Sequence, residues 1–114
     1  MHEYPITQQI VKLAVEKAEE SNALRITRIG LIVGEMTGFV GDSIKMYFDA
    51  IAEGTLAEGA ELHISYVKPK LVCTGCGESF ERLKFSFQCP HCNGKGIPTE
   101  IGKEFYIEEI EIED

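Results

Sequence analysis

No stretch of this 114-residue chain stays apolar long enough to cross a bilayer, and no basic segment followed by an apolar one stands at its start. No membrane association is expected. A cytoplasmic protein is, in a compartment where thiols stay reduced. Basic side chains are scarce, 11 Lys and Arg against 19 Asp and Glu, for a net charge of −8. Nucleic-acid binding needs a concentrated basic face, so an acidic chain of this kind is read as having no nucleic-acid partner. No G-x4-G-K-[ST] loop occurs, so the chain has no P-loop of its own for nucleotide. Internal repeats and low-complexity tracts are missing, and the motifs contain no nucleophile paired with a base. An enzyme is therefore the poorest reading.

Cysteine is rare and fully concentrated. All four lie in Cys73-Thr74-Gly75-Cys76 and Cys89-Pro90-His91-Cys92, with twelve residues between the pairs. A C-x2-C turn brings two thiolates to one metal, and two facing turns complete a tetrahedral sulfur shell suited to zinc. Iron in a rubredoxin-like site competes for the identity of the metal. Two disulfides compete less well, since nothing points to an oxidising compartment. A closed four-thiolate site has no open position for a substrate. Gly77 and Gly94 follow the two turns, where positive φ is expected. Phe80, Phe85 and Phe87 are the expected apolar cover of the metal. From Lys68 to Lys103 there are six basic and three acidic residues; the rest of the chain carries five and sixteen. The acidic charge thus lies outside the cysteine segment, which suits a cation-handling protein or a basic partner surface as well as plain solubility.

Apolar residues make up 44% of the chain, enough for a core in a single ordinary domain with a small appendage. Pro5 opens a helical pattern with Ile6, Ile10, Leu13 and Ala14 inward, ending at Ser21-Asn22 and leaving His2 and Glu3 just ahead of it. A strand follows over Leu24 to Val33, covered on both faces near its end because Ile32 is also apolar. Asp42 or Ser43 is placed to cap a second helix, with Ile44, Phe48, Ile51 and Ala52 inward and Gly54 closing it. Leu62, Ile64 and Tyr66 alternate with Glu61, His63 and Ser65 as a second strand, His63 being on its wet face. In the last segment the apolar phase breaks between Phe105/Ile107 and Ile110/Ile112, which calls for a bulge near Glu108-Glu109 or a change of cover. The fold class expected is α+β: two helices on a small three-stranded sheet, with an inserted four-cysteine zinc-ribbon-like module. The expected division is 1–68 plus 103–114 for the body and 69–102 for the zinc module.

The α-amine of Met1, the backbone nitrogen of His2 and its imidazole can wrap one cation in fused chelate rings, with the backbone nitrogen or carboxylate of Glu3 in a fourth position. A near-planar nitrogen set suits Ni(II) or Cu(II), not zinc. Taken alone, Met-His at a chain start is weak. The combination is specific: Met1-His2-Glu3, Gly34-Glu35-Met36, Glu53-Gly54-Thr55 with Glu58-Gly59-Ala60, Pro69 ahead of Cys73-Thr74-Gly75-Cys76-Gly77, Phe80, Cys89-Pro90-His91-Cys92, and Ile107-Glu108-Glu109-Ile110-Glu111-Ile112. Together these resemble the HypA (HypA/HybF) family of nickel-incorporation factors for [NiFe]-hydrogenase and, in some organisms, urease.

The resemblance implies a nickel metallochaperone. His2 would be the principal nickel ligand, with the Met1 amine and the Glu3 backbone beside it and the Glu3 carboxylate as an auxiliary group. Cys73, Cys76, Cys89 and Cys92 would hold a structural zinc. Partners would be the GTPase HypB and the hydrogenase large subunit, or urease accessory proteins. Two features depart from the family pattern: the twelve-residue spacer supplies no histidine, and only His91 adjoins a cysteine pair. The rival reading, from another class, is a zinc-ribbon interaction adaptor with no nickel to transfer.

Overall fold

The computed structural model describes residues 3–82 and 86–114. The chain runs α1 (Glu3–Glu20), β1 (Arg25–Gly34), a 3-10 turn (Glu35–Thr37), α2 (Gly41–Ala52), β2 (Glu61–Val67), β3 (Lys70–Cys73), β4 (Ser79–Glu81), β5 (Gly96–Pro98) and β6 (Phe105–Glu113). One three-stranded sheet has the order β2-β1-β6 and a second the order β4-β3-β5. The fold is α+β with an inserted four-cysteine module, as expected. None of the described helices is long and apolar enough to cross a membrane.

The chain divides into two compact units, residues 1–32, 39–65 and 106–114 forming the first, 33–38 and 66–105 the second. In the first, α1 and α2 bury Ile10, Val11, Ala14, Ala18, Ile44, Phe48 and Ala52 together with Ile26, Ile29 and Leu31 of β1. The stripe of α1 is rotated from its expected position. Thr7, Val11 and Ala18 are inside, while Leu13 is 48% exposed. Periodicity finds the helix, but only its neighbours decide which edge of a broad apolar arc turns inward. Similarly, α2 starts from Val40, which provides no side-chain cap, rather than from Asp42 or Ser43. Gly54 follows the helix with φ 80°, a left-handed conformation that glycine adopts freely.

In β2, Leu62 is buried and His63 exposed, but Tyr66 is also exposed, so the expected alternation fails at its end. In β6 the phase breaks where both Glu108 and Glu109 are exposed; the half-buried positions change from Phe105 and Ile107 to Ile110 and Ile112. Thr27 and Arg28, adjacent on β1, are likewise both only half-buried. Arg28 gathers carboxylates from both flanking strands: Glu61 of β2, and Glu109 and Glu111 of β6. Its guanidinium pKa is raised, chiefly by the hydrogen bond to Glu109, with the other two carboxylates adding to it.

Within the second unit, backbone crosses backbone at Gly102. Gly34 N–H donates to the Glu104 carbonyl at 2.6 Å and Met36 N–H to the Gly102 carbonyl at 2.8 Å. A Cβ on Gly34 would overlap the Gly102 carbonyl, and one on Gly102, whose φ is 105°, would lie 2.7 Å from Pro69 Cα. The ends of the cysteine excursion are thus close-packed on each other.

Candidate metal centre

The strand β3 ends at Cys73, and the chain there makes the first of two matching turns. Cys73 N–H donates to the Glu78 carbonyl and Gly77 N–H to the Cys73 carbonyl; Cys89 N–H donates to the Gly94 carbonyl and Asn93 N–H to the Cys89 carbonyl. The fifth residue of each turn is left-handed, Gly77 at φ 78° and Asn93 at φ 61°. Asparagine is among the few residues besides glycine that tolerate this conformation. The positive φ expected at Gly94 therefore falls one residue earlier. Gly94 is required for space instead: a Cβ there would sit 2.9 Å from Cys73 Sγ and 3.2 Å from Cys92 Sγ.

Each turn also points amides at its first sulfur. Gly75 and Cys76 N–H donate to Cys73 Sγ at 3.2 and 3.4 Å, and His91 N–H donates to Cys89 Sγ at 3.4 Å. The four Sγ atoms lie within 4.8 Å of one another, with Cys73–Cys92 at 3.4 Å and Cys76–Cys89 at 3.7 Å. Zinc–sulfur bonds of about 2.3 Å in a tetrahedron give S···S edges of about 3.8 Å. The spacing fits a single tetrahedral ion. Cys73 and Cys89 are buried and Cys76 and Cys92 exposed, so the cluster is walled on one side.

The acidities carry the same message. The Cys76 amide, with help from the Cys92 thiol and Gly75 amide, lowers the Cys73 pKa to about 6. At Cys76 the Glu78 amide pulls downward, but burial and the other three sulfurs win and push it up to about 12. Cys92 is raised as well, first by Cys73. Four sulfurs this close cannot all ionise without a cation, and a divalent metal at their centre inverts that preference.

Leu71, Phe80, Cys73 and Cys89 form one buried cluster. Of the three phenylalanines expected to cover the metal, only Phe80 is seen to do so. Phe87 is 44% exposed and stacks under the Arg82 guanidinium at 5.1 Å, and Phe85 lies outside the described residues. Leu71 and Gly96 complete the packing; a Cβ on Gly96 would sit 2.5 Å from the Phe80 ring. His91 is exposed.

Of the N-terminal candidates, His2 and the Met1 amine lie outside the described residues. Glu3 does not precede α1; it is in its first turn and is 8% exposed. Its Oε2 accepts from the Val40 N–H at 3.1 Å. Glu3 belongs to the first unit and the cysteines to the second.

The family described as HypA, hydrogenase/urease nickel incorporation, metallochaperone, matches residues 1–112. The chain belongs to the HypA family. It is 46% identical over 114 residues to the hydrogenase maturation factor HypA of Caldanaerobacter subterraneus subsp. tengcongensis, covering 99% of this chain and 100% of the relative. It is 33% identical to the hydrogenase maturation factor HybF of Salmonella typhimurium, over 99% of this chain and 100% of that one. The solution structure of the Ni metallochaperone HypA from Helicobacter pylori aligns with a TM-score of 0.68 at 27% identity, covering 99% of this chain and 98% of its own.

Two of the motifs carrying the HypA resemblance now have physical reasons. Gly34-Glu35-Met36 places two backbone donors on the return of the cysteine excursion, with a glycine where no side chain fits. In 53–60, Gly54 and Gly59 take positive φ, the Glu58 carboxylate accepts the Gly54 N–H at 3.0 Å, and Ala57 is fully buried.

Proposed function

We propose that this chain binds Ni(II) at its amino terminus and delivers it during [NiFe]-hydrogenase maturation. The His2 imidazole is the principal ligand, with the Met1 amine and the backbone nitrogens of His2 and Glu3 beside it. The observation that carries this reading is the match of the nickel-incorporation family to residues 1–112, a span that includes the Met-His-Glu start. Zinc is the resident ion of Cys73, Cys76, Cys89 and Cys92 and has a structural role; sulfur spacing near the tetrahedral value supports it. The two ions divide the chain functionally into a nickel-binding body, 1–68 plus 103–114, and a zinc module, 69–102.

A carrier must release its cargo, so a set of nitrogens exchanged one at a time suits it better than a closed cage. No catalytic step is assigned to the chain. Nucleotide hydrolysis, if delivery uses it, comes from the GTPase partner HypB, and the recipient is the hydrogenase large subunit in the cytoplasm. Calorimetric titration of untagged, zinc-loaded protein with Ni(II) tests the proposal. Nickel uptake should be lost in His2→Ala and in protein with an amino-terminal extension, which converts the amine to an amide. Equal affinity in wild type and His2→Ala would leave only the adaptor reading.

A further inference from the structure

Glu3 is the only charged residue buried among those described. A carboxylate removed from water requires partners. Here it takes the Val40 N–H, and Val40 is the residue from which α2 starts without any side-chain cap of its own. Amide donors at a helix start are left without intrahelical partners and carry partial positive charge, which a carboxylate satisfies from outside. Two further contacts fix the same turn of α1. Thr7 Oγ1, fully buried, donates to the Glu3 carbonyl at 2.5 Å, and the Tyr4 and Tyr47 rings meet edge to face at 5.2 Å.

We infer that Glu3 is a positioning residue whose carboxylate caps α2 and so fixes the backbone directly after His2, rather than a nickel ligand. The inference rests on the reading of His2 as the nickel ligand. The carboxylate is buried with Oε2 on the Val40 amide, so a cation could be ligated through that oxygen only by giving the amide up. The Glu3 backbone nitrogen, which the proposed ligand set includes, has its direction set by the cap. The carboxylate's contribution to nickel binding is pre-organisation, since a ligand set already held in place loses less freedom on binding.

The test compares untagged, zinc-loaded wild type, His2→Ala, Glu3→Ala and Glu3→Gln. Gln keeps an oxygen acceptor for Val40 but is a poor nickel ligand. Val40 amide exchange is followed by NMR without nickel, and nickel affinity and visible d–d bands are measured by titration. Glu3→Ala should speed Val40 exchange and weaken nickel binding by about tenfold or more, whereas Glu3→Gln should restore both to within about twofold with unchanged bands. Bands shifted equally in Glu3→Gln and Glu3→Ala would make the carboxylate a ligand and overturn the inference. Faster Val40 exchange with unchanged nickel affinity in Glu3→Ala would reduce the contact to a structural one and also overturn it. Nickel binding that survives His2→Ala sinks the parent reading and the positioning role together; binding lost in His2→Ala but intact in Glu3→Ala sinks the positioning role alone.

Discussion

Gly94 and Gly75 stand beside the same two sulfurs but at different distances, and that difference predicts opposite outcomes for the same substitution. Neither glycine has positive φ, so backbone strain does not enter for alanine at either place. A methyl on Gly75 would lie 3.4 Å from Cys92 Sγ and 3.6 Å from Cys73 Sγ, in ordinary contact. A methyl on Gly94 would lie 2.9 Å from Cys73 Sγ. Carbon atoms rest about 3.5–4.0 Å apart and sulfur is larger, so something must move by at least about 0.6 Å. Metal–sulfur distances tolerate only about 0.2 Å. Overpacking of this kind costs about 1–3 kcal/mol. In a unit whose folding is coupled to its metal, that loss appears as zinc affinity lower by about 5- to 150-fold. Competition for zinc against a chromophoric chelator measures it. Gly94→Ala should release zinc to weaker competitor than wild type, and Gly75→Ala should stay within about twofold. If Gly94→Ala holds zinc as tightly as wild type, the account of Gly94 as the residue that admits the sulfurs is wrong.

Replacing Cys73, Cys76, Cys89 or Cys92 by Ala should melt the second unit while far-UV circular dichroism retains the helices of the first, because so small a sulfur-centred core depends on its ion; loss of all helical signal would refute two separable units. Zinc uptake should release close to four protons per ion at pH 7.5, measured by calorimetry in two buffers of different ionisation enthalpy, because the metal-free unit is unfolded and an unfolded chain keeps its thiol pKa at about 8.5.

Much of this protein was legible in its residue order. The metal cluster needed only the spacing of Cys73, Cys76, Cys89 and Cys92, since a C-x2-C turn is local and its two sulfurs converge whatever surrounds it. The two helices, strands β1, β2 and β6 and their order came from periodicity, as did the phase break at Glu108-Glu109; the short strands β3, β4 and β5 of the cysteine segment did not. The inward face of α2 was read correctly, with Ile44, Phe48 and Ala52 buried, but elsewhere tertiary structure decided which apolar residues were covered. Leu13, Tyr66 and Phe87 match apolar patterns yet are exposed, because burial depends on a neighbour supplied by distant chain. Glu3 is the converse, a charged residue drawn inward by an amide 37 positions away. At Gly94 the requirement came from two sulfurs on the facing turns rather than from its own dihedral angle. Short-range geometry is written in neighbouring residues; cover, capping and close approach arise only when remote segments meet.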